Sequence, residues 1–297
     1  MSQTGPLAGV TVLSIAINLP GPAAVARLAG QGANVVTVLP PSGDPMEQFA
    51  KAYYDELHVG QEVRRVDLKS PAGRAELEEL LATADVFVTS SRPSALRRLG
   101  LDFESVHASH PQVCQVDIVG YPGDQAETAG HDLTYQAGTG LLGEGSMPTT
   151  LVVDLAGSER AAAEASAALV ARARLGEGVR REVPLSDLAH TMSRPLAHGL
   201  TAPGALLGGG LPAYGIYDTA EGKIALGALE PHFTTALLTA LRLQPEDCTG
   251  ERLAEVFAER TAADWQTWAD EHDIPLTALR SPGLEASPQS SSHLDQR

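Results

Sequence analysis

Three short segments carry side chains able to move a proton near neutral pH, each beside glycine or proline. They are Gly130-His131-Asp132, Val153-Asp154-Leu155-Ala156-Gly157 and Ala228-Leu229-Glu230-Pro231-His232. An imidazole titrates close to neutrality, so His131 suits general acid–base work. Asp154 follows the apolar run Leu151-Val152-Val153. That run holds it at a strand end or helix start, where backbone N–H groups stabilise a carboxylate. Each residue also has an ordinary reading. Asp154 serves equally as the N-cap of the long helix that follows, His131 as a loop histidine, and Glu230 as a turn residue ahead of proline.

Other chemistries find less support. His107 and His110 are three residues apart but lack a recognisable carboxylate partner set, so no metal site is expected. Cys114 and Cys248 are too few for a disulfide framework or a four-cysteine zinc site. Ser14, Ser90 and Ser91 lack the G-x-S-x-G setting of a serine nucleophile.

The elements that must position these residues read as α/β. Apolar runs over 10–15, 34–39, 62–68, 85–89 and 113–119 alternate with helical stretches over 23–29, 71–83 and 94–99. That alternation predicts a doubly wound parallel sheet with right-handed crossovers. Residues 18–22 read as a turn, and Ser70 as an N-cap with Pro71 at the first helical position. The first turn, Leu19-Pro20-Gly21-Pro22, is not G-x-G-x-x-G, so a nicotinamide or flavin dinucleotide site is not expected. Further on, residues 133–142 read as helical and 143–148 as a turn. An alanine-rich helix is expected over 158–175, a strand over 182–185, and a helix capped by Ser186 toward residue 198. Residues 204–210 are glycine-rich and expected to be mobile; 214–229 read as a hairpin and 233–272 as helical. The expected organisation is a large domain over 1–198, a smaller α+β domain over 199–285, and a disordered polar tail over 286–297.

Composition narrows the partners. The 297 residues include 37 acidic and 21 basic side chains, a net charge of −16. Such a balance argues against nucleic acid, whose phosphates require clustered Lys and Arg. With 43% hydrophobic and 20% charged residues the chain reads as globular. No basic, apolar leader is visible at the N-terminus and no run is long enough to span a bilayer, so a soluble, cytoplasmic protein without membrane partners is the expectation.

Several segments, in order along the chain, resemble the family III CoA-transferases (the CaiB/BaiF group). They are Pro6-Leu7-Ala8-Gly9-Val10-Thr11-Val12-Leu13, Pro20-Gly21-Pro22, and 28–36. After them come Pro40-Pro41-Ser42-Gly43-Asp44-Pro45, Val66-Asp67-Leu68-Lys69, Arg92-Pro93 and Leu99-Gly100-Leu101. The resemblance implies a Rossmann-like large domain, a smaller domain and an interlocked homodimer. Gly130-His131-Asp132-Leu133-Thr134-Tyr135 is similar to the G-H-D-x-x-Y of the α-methylacyl-CoA racemase branch, and Gly227-Ala228-Leu229-Glu230-Pro231-His232-Phe233 to its G-A-x-E-P-x-F. Gln136-Ala137-Gly138-Thr139-Gly140, by contrast, resembles the transferase branch.

In the racemase branch the resemblance implies that His131 and Asp154 are bases on opposite faces of a thioester α-carbon. Glu230 then orients His131, and backbone N–H groups near Asp154 receive the enolate oxygen. Arg92, Asp132, Tyr135 and the run Gly208, Gly209, Gly210 become substrate-binding candidates, with CoA as part of the substrate rather than a cofactor. In the transferase branch Asp154 is instead a nucleophile that carries CoA.

Departures from the family pattern fall on the CoA nucleotide. A family Lys or Arg in the second strand is Thr37 here, and a basic segment before the third strand reads His58-Val59-Gly60-Gln61-Glu62-Val63. Losing a few charge-assisted contacts worth about 1.5–3 kcal/mol each weakens binding by orders of magnitude, unless Arg64, Arg65 or Arg92 compensates. The loop 120–125 differs from the family's glycine-rich loop, and the chain stops before the family's returning segment. Three readings follow: a racemase or transferase with altered CoA binding; a repurposed member acting on another thioester or small metabolite; a non-catalytic scaffold.

Overall fold

The computed structural model describes residues 4–143 and 147–280. The tail expected over 286–297 and part of the turn expected over 143–148 lie outside the described residues. The chain divides into two compact units, Met1–Ser193 and Arg194–Arg297.

The first unit runs β1 (Thr11–Ser14), α1 (Pro20–Gly30), β2 (Asn34–Leu39), α2 (Met46–Phe49), α3 (Lys51–Leu57), β3 (Glu62–Arg65) and α4 (Pro71–Leu81). Then come β4 (Val86–Thr89), α5 (Pro93–Leu99), α6 (Phe103–Ser109), β5 (Cys114–Val119), α7 (Asp132–Thr139), α8 (Val152–Leu175) and β6 (Arg180–Pro184). Helix α9 (Leu185–Ala197) follows and runs past the unit boundary. The six strands are parallel in the order β3-β2-β1-β4-β5-β6. Every residue of β4 and β5 is buried, as a parallel sheet covered on both faces requires. One face packs Val12, Val88, Val116 and Ile118 against α1 and the alanine stripe Ala161, Ala162, Ala165 and Ala168 of α8. The other packs Leu13, Phe87 and Val113 against Leu77, Leu81 and Leu96 of α4 and α5. Alanines let α8 approach the sheet closely while still burying apolar area.

Boundaries differ from the sequence expectations where helix starts are concerned. Residues 20–22 are not a turn but the first turn of α1, whose amides have no intrahelical partner, so the two prolines there forfeit no bond. Ser70 does cap α4, accepting from the Gly73 amide at 3.0 Å. Ser186 caps nothing; it lies inside α9, which begins at Leu185. The largest shift concerns α8, which starts at Val152 rather than 158. Asp154 is therefore not its N-cap: Leu151 holds that position and Asp154 is the third helical residue.

The second unit holds the antiparallel sheet β7 (Tyr214–Asp218), β8 (Lys223–Gly227) and β9 (Leu276–Ala278). Between β8 and β9 lie α10 (Pro231–Leu241), α11 (Gly250–Phe257) and α12 (Ala262–His272). Trp265 anchors its core, with an edge contact to Phe257 and its indole N–H donated to the Phe257 carbonyl at 2.8 Å. The run over 204–210 folds back on itself. The Gly204 amide donates to the Gly208 carbonyl at 2.8 Å, and the Gly208 and Gly210 amides donate to that of Ala205. No helix among the described residues is long and apolar enough to cross a membrane.

Candidate active site

A cavity of about 590 Å³ opens beyond the carboxyl ends of β1, β4 and β5, and every residue lining it belongs to the first unit. The strand order reverses between β1 and β4, and that crevice is where doubly wound sheets bind ligands. Ser90 stitches its floor: its hydroxyl accepts from the Ile17 amide at 3.0 Å, joining the segments that follow β1 and β4.

His131 and Asp154 both line this cavity. His131 is extended (φ −143°, ψ 163°) directly ahead of α7. Its amide donates to Thr134 Oγ1 at 3.0 Å, and its carbonyl accepts from the Thr134 and Tyr135 amides, so its backbone is pinned while its side chain is exposed. Asp154 projects from the first turn of α8 and is half-buried, with no hydrogen bond to its carboxyl among the described residues. Burial, and then the neighbouring Asp132 carboxylate, push its pKa up to about 7.

Asp132 is not placed to touch a ligand. It is buried and absent from the cavity wall. Its Oδ2 accepts from the Val153 and Asp154 amides at 2.8 and 2.9 Å, and its Oδ1 takes a short hydrogen bond from Gln136 Nε2. The same contacts narrow the expectation that amides near Asp154 receive an enolate oxygen, since the Val153 and Asp154 N–H groups are already spent on Asp132.

Tyr135, buried on the cavity wall, meets Tyr121 edge-on at 5.5 Å. Burial, Tyr121 and Asp154 together raise its pKa to about 12, which keeps it a neutral hydrogen-bond donor. A Cβ on Gly130 would lie 2.5 Å from its ring. Gly130→Ala is therefore expected to displace Tyr135 and destabilise the fold by about 1–3 kcal/mol, the usual cost of overpacking, measurable by urea unfolding.

Arg92, exposed at the cavity rim ahead of Pro93, forms no ion pair among the described residues. Arg64 and Arg65 are not similarly available. Arg64 pairs with Glu62 and Glu76, and Arg65 places both oxygens of Glu47 within 2.8 Å of one guanidinium nitrogen. Thr37 is fully buried and donates to Gln61 Oε1 at 2.8 Å, so these two departures from the family pattern satisfy each other. Glu230 and Gly208, Gly209 and Gly210 belong to the second unit. Glu230 occupies the N-cap position of α10 without a side-chain capping bond. Gly209 has φ +97°, and a Cβ on Gly208 would overlap the Ala202 carbonyl, so both positions suit glycine for backbone reasons.

Part of the wall escaped the sequence reading. Met46, Phe49 and Tyr53 come from α2 and α3, helices of four and seven residues too short to show a clear periodicity. In the sequence Gln136 stands out only as part of a transferase-like string. Its spacing of four from Asp132 becomes informative once α7 is known to start at Asp132 rather than 133.

The fold and cavity together define a doubly wound α/β protein with an imidazole and a carboxyl lining one cavity at its switch point. The sequence matches the profile of CoA-transferase family III over residues 7–291, and the chain belongs to that family. It is 30% identical to human alpha-methylacyl-CoA racemase over 304 residues, covering 92% of this chain and 77% of that one. It is also 30% identical to a succinate–glutarate CoA-transferase of Agrobacterium fabrum over 252 residues, 74% of this chain and 62% of that one. A CaiB/BaiF family protein from Brucella suis shares the fold with a TM-score of 0.77 at 22% identity, over 94% of this chain and 85% of that one.

Proposed function

We propose that this protein exchanges the α-proton of an acyl thioester, interconverting the two configurations at that carbon. One observation carries the reading: an exposed imidazole and a carboxyl whose pKa is raised to about 7 line one cavity. A thioester acidifies its α-proton. Neutral His131 removes it, breaking the C–H bond and leaving an enolate. Protonated Asp154 then supplies a proton to the opposite face, forming a new C–H bond and becoming a carboxylate. The reverse direction exchanges the two roles, and both groups return to their starting states through solvent. A carboxyl that keeps its proton near neutrality is a better donor than nucleophile, which favours this chemistry over an aspartyl-CoA intermediate. The apolar wall of Ile17, Leu19, Met46 and Phe49 suits a hydrocarbon acyl chain. Support of the imidazole by Glu230 and the interlocked homodimer, both implied by the resemblance, belong to the same proposal, as does the cytoplasmic location expected from the sequence.

Wild-type protein incubated with a 2-methylacyl-CoA in D2O is expected to wash one deuterium into the α-position, read by mass spectrometry. Absence of wash-in overturns the reading. The similarity to a CoA-transferase keeps transfer as the second reading, and it predicts a covalent adduct at Asp154 that hydroxylamine traps.

A further inference from the structure

Asp132 is the first residue of α7, yet its carboxylate closes the first turn of α8. Its Oδ2 accepts from the Val153 and Asp154 amides at 2.8 and 2.9 Å, two donors the helix itself leaves unpaired. Gln136, one turn along α7, donates to Oδ1. Asp132 is 3% exposed and Gln136 4%, so neither reaches solvent or ligand freely. The same carboxylate follows His131 in the chain. A single buried side chain thus connects the backbone that presents the imidazole to the backbone that presents Asp154.

The connection has an electrostatic consequence. A helix N-terminus ordinarily favours a negative charge in its first turn. Here that favour is taken up by Asp132, and Asp154 faces a like charge instead.

We infer that Asp132 and Gln136 are positioning residues: they lock the first turn of α8 against α7 and set the charge against which Asp154 works. The inference rests on the proton-exchange reading for its function. Within that reaction, Asp154 becomes an anion when its O–H bond breaks and the new C–H bond forms. Repulsion from Asp132 then favours recapture of a proton, readying the group for the next turnover.

The remaining groups around Asp154 do not supply this charge. His131 and Tyr135 border the cavity from the start and the first turn of α7, and Arg92 borders it from the start of α5. Arg27 of α1 is paired with Glu159, and Arg181 of β6 with Glu164.

Asp132→Asn tests the inference with little change of shape. The asparagine oxygen still accepts both amides. With the Gln136 amide turned round, the new NH2 donates to its oxygen, and only the charge is lost. The Asp154 carboxyl is followed by 13C NMR in the full chain and assigned by its absence in Asp154→Asn. Its midpoint is expected to fall by about one unit in Asp132→Asn, and an unmoved midpoint overturns the inference. A second measurement needs no variant: the Val153 and Asp154 amides of the wild type should exchange hydrogen slowly, and exchange at the rate of unbonded first-turn amides overturns the tether. Both are read without substrate. A lowered midpoint without deuterium wash-in supports the tether and overturns the reaction. An unmoved midpoint with normal wash-in does the reverse.

Discussion

Replacing either His131 by Ala or Asp154 by Asn should reduce inversion at the α-carbon by about 10²–10⁴-fold, the range a positioned acid or base contributes. The two variants should not be equivalent in every assay. Inversion needs one group to take a proton from one face and another to return one to the opposite face, so losing either stops it in both directions. Deuterium wash-in without inversion is different. In His131→Ala the configuration whose proton points at Asp154 should retain slow exchange, and in Asp154→Asn the opposite configuration should. Incubating each pure enantiomer in D2O and resolving products by chiral chromatography and mass measures both quantities. Loss of activity in Asp154→Asn alone, with His131→Ala unimpaired, would assign the cavity to a nucleophile and the chain to transfer. The lining of one cavity by both side chains, at its carboxyl-end switch point, is what makes the asymmetric pattern the expected one.

Much of the architecture could be read from the residues, because parallel strands announce themselves as apolar runs. Residues 34–39 give the bounds of β2, and Ser70-Pro71 marks the start of α4 by well-understood capping chemistry. Helix starts were harder where local signals conflicted. Val152 and Val153 are β-branched and Gly157 is a weak helix former, so local propensity alone favours a start at 158, where the alanine-rich run begins. Its first turn forms because Asp132, more than twenty residues upstream, receives the two amides. A long-range capping contact leaves no mark in the local sequence. It also reverses the reading of two residues at once: Asp154 stops being a cap, and Asp132 stops being a ligand. The arginines teach the same lesson from the other side. Arg64 and Arg65 count as free cations in a composition, but the acids that neutralise them, Glu76 and Glu47, lie on neighbouring helices. Only the fold reveals that Arg92 forms no ion pair among the described residues.

The second large effect concerns stability, and here loss of function should come with a gain. Asp154 has a folded pKa of about 7 against an ordinary value of 3.8. Between those values the folded chain holds a proton that the unfolded chain has released, so stability falls as pH rises through the window and stays lowered above it. The full shift corresponds to about 4 kcal/mol. Solvent access at the cavity mouth discounts that to about 2 kcal/mol. Asp154→Asn removes the penalty without adding a charge. At about pH 8 the variant should therefore be more stable than the wild type by about 2 kcal/mol, and at about pH 3, below the unfolded pKa, the difference should nearly vanish. Far-ultraviolet circular dichroism during urea unfolding is the suitable probe, because both tryptophans, Trp265 and Trp268, belong to the second unit's core and report on the wrong part of the chain. A variant equally stable at both pH values would mean that the wild-type carboxyl ionises in the folded protein as freely as in the unfolded one. Such a group would carry no proton to give near neutrality, and the donor half of the proposed reaction would lose its physical basis. A difference that grows with pH would instead tie the penalty to the trait the chemistry needs, a carboxyl held by burial and by Asp132 in the form that can protonate carbon.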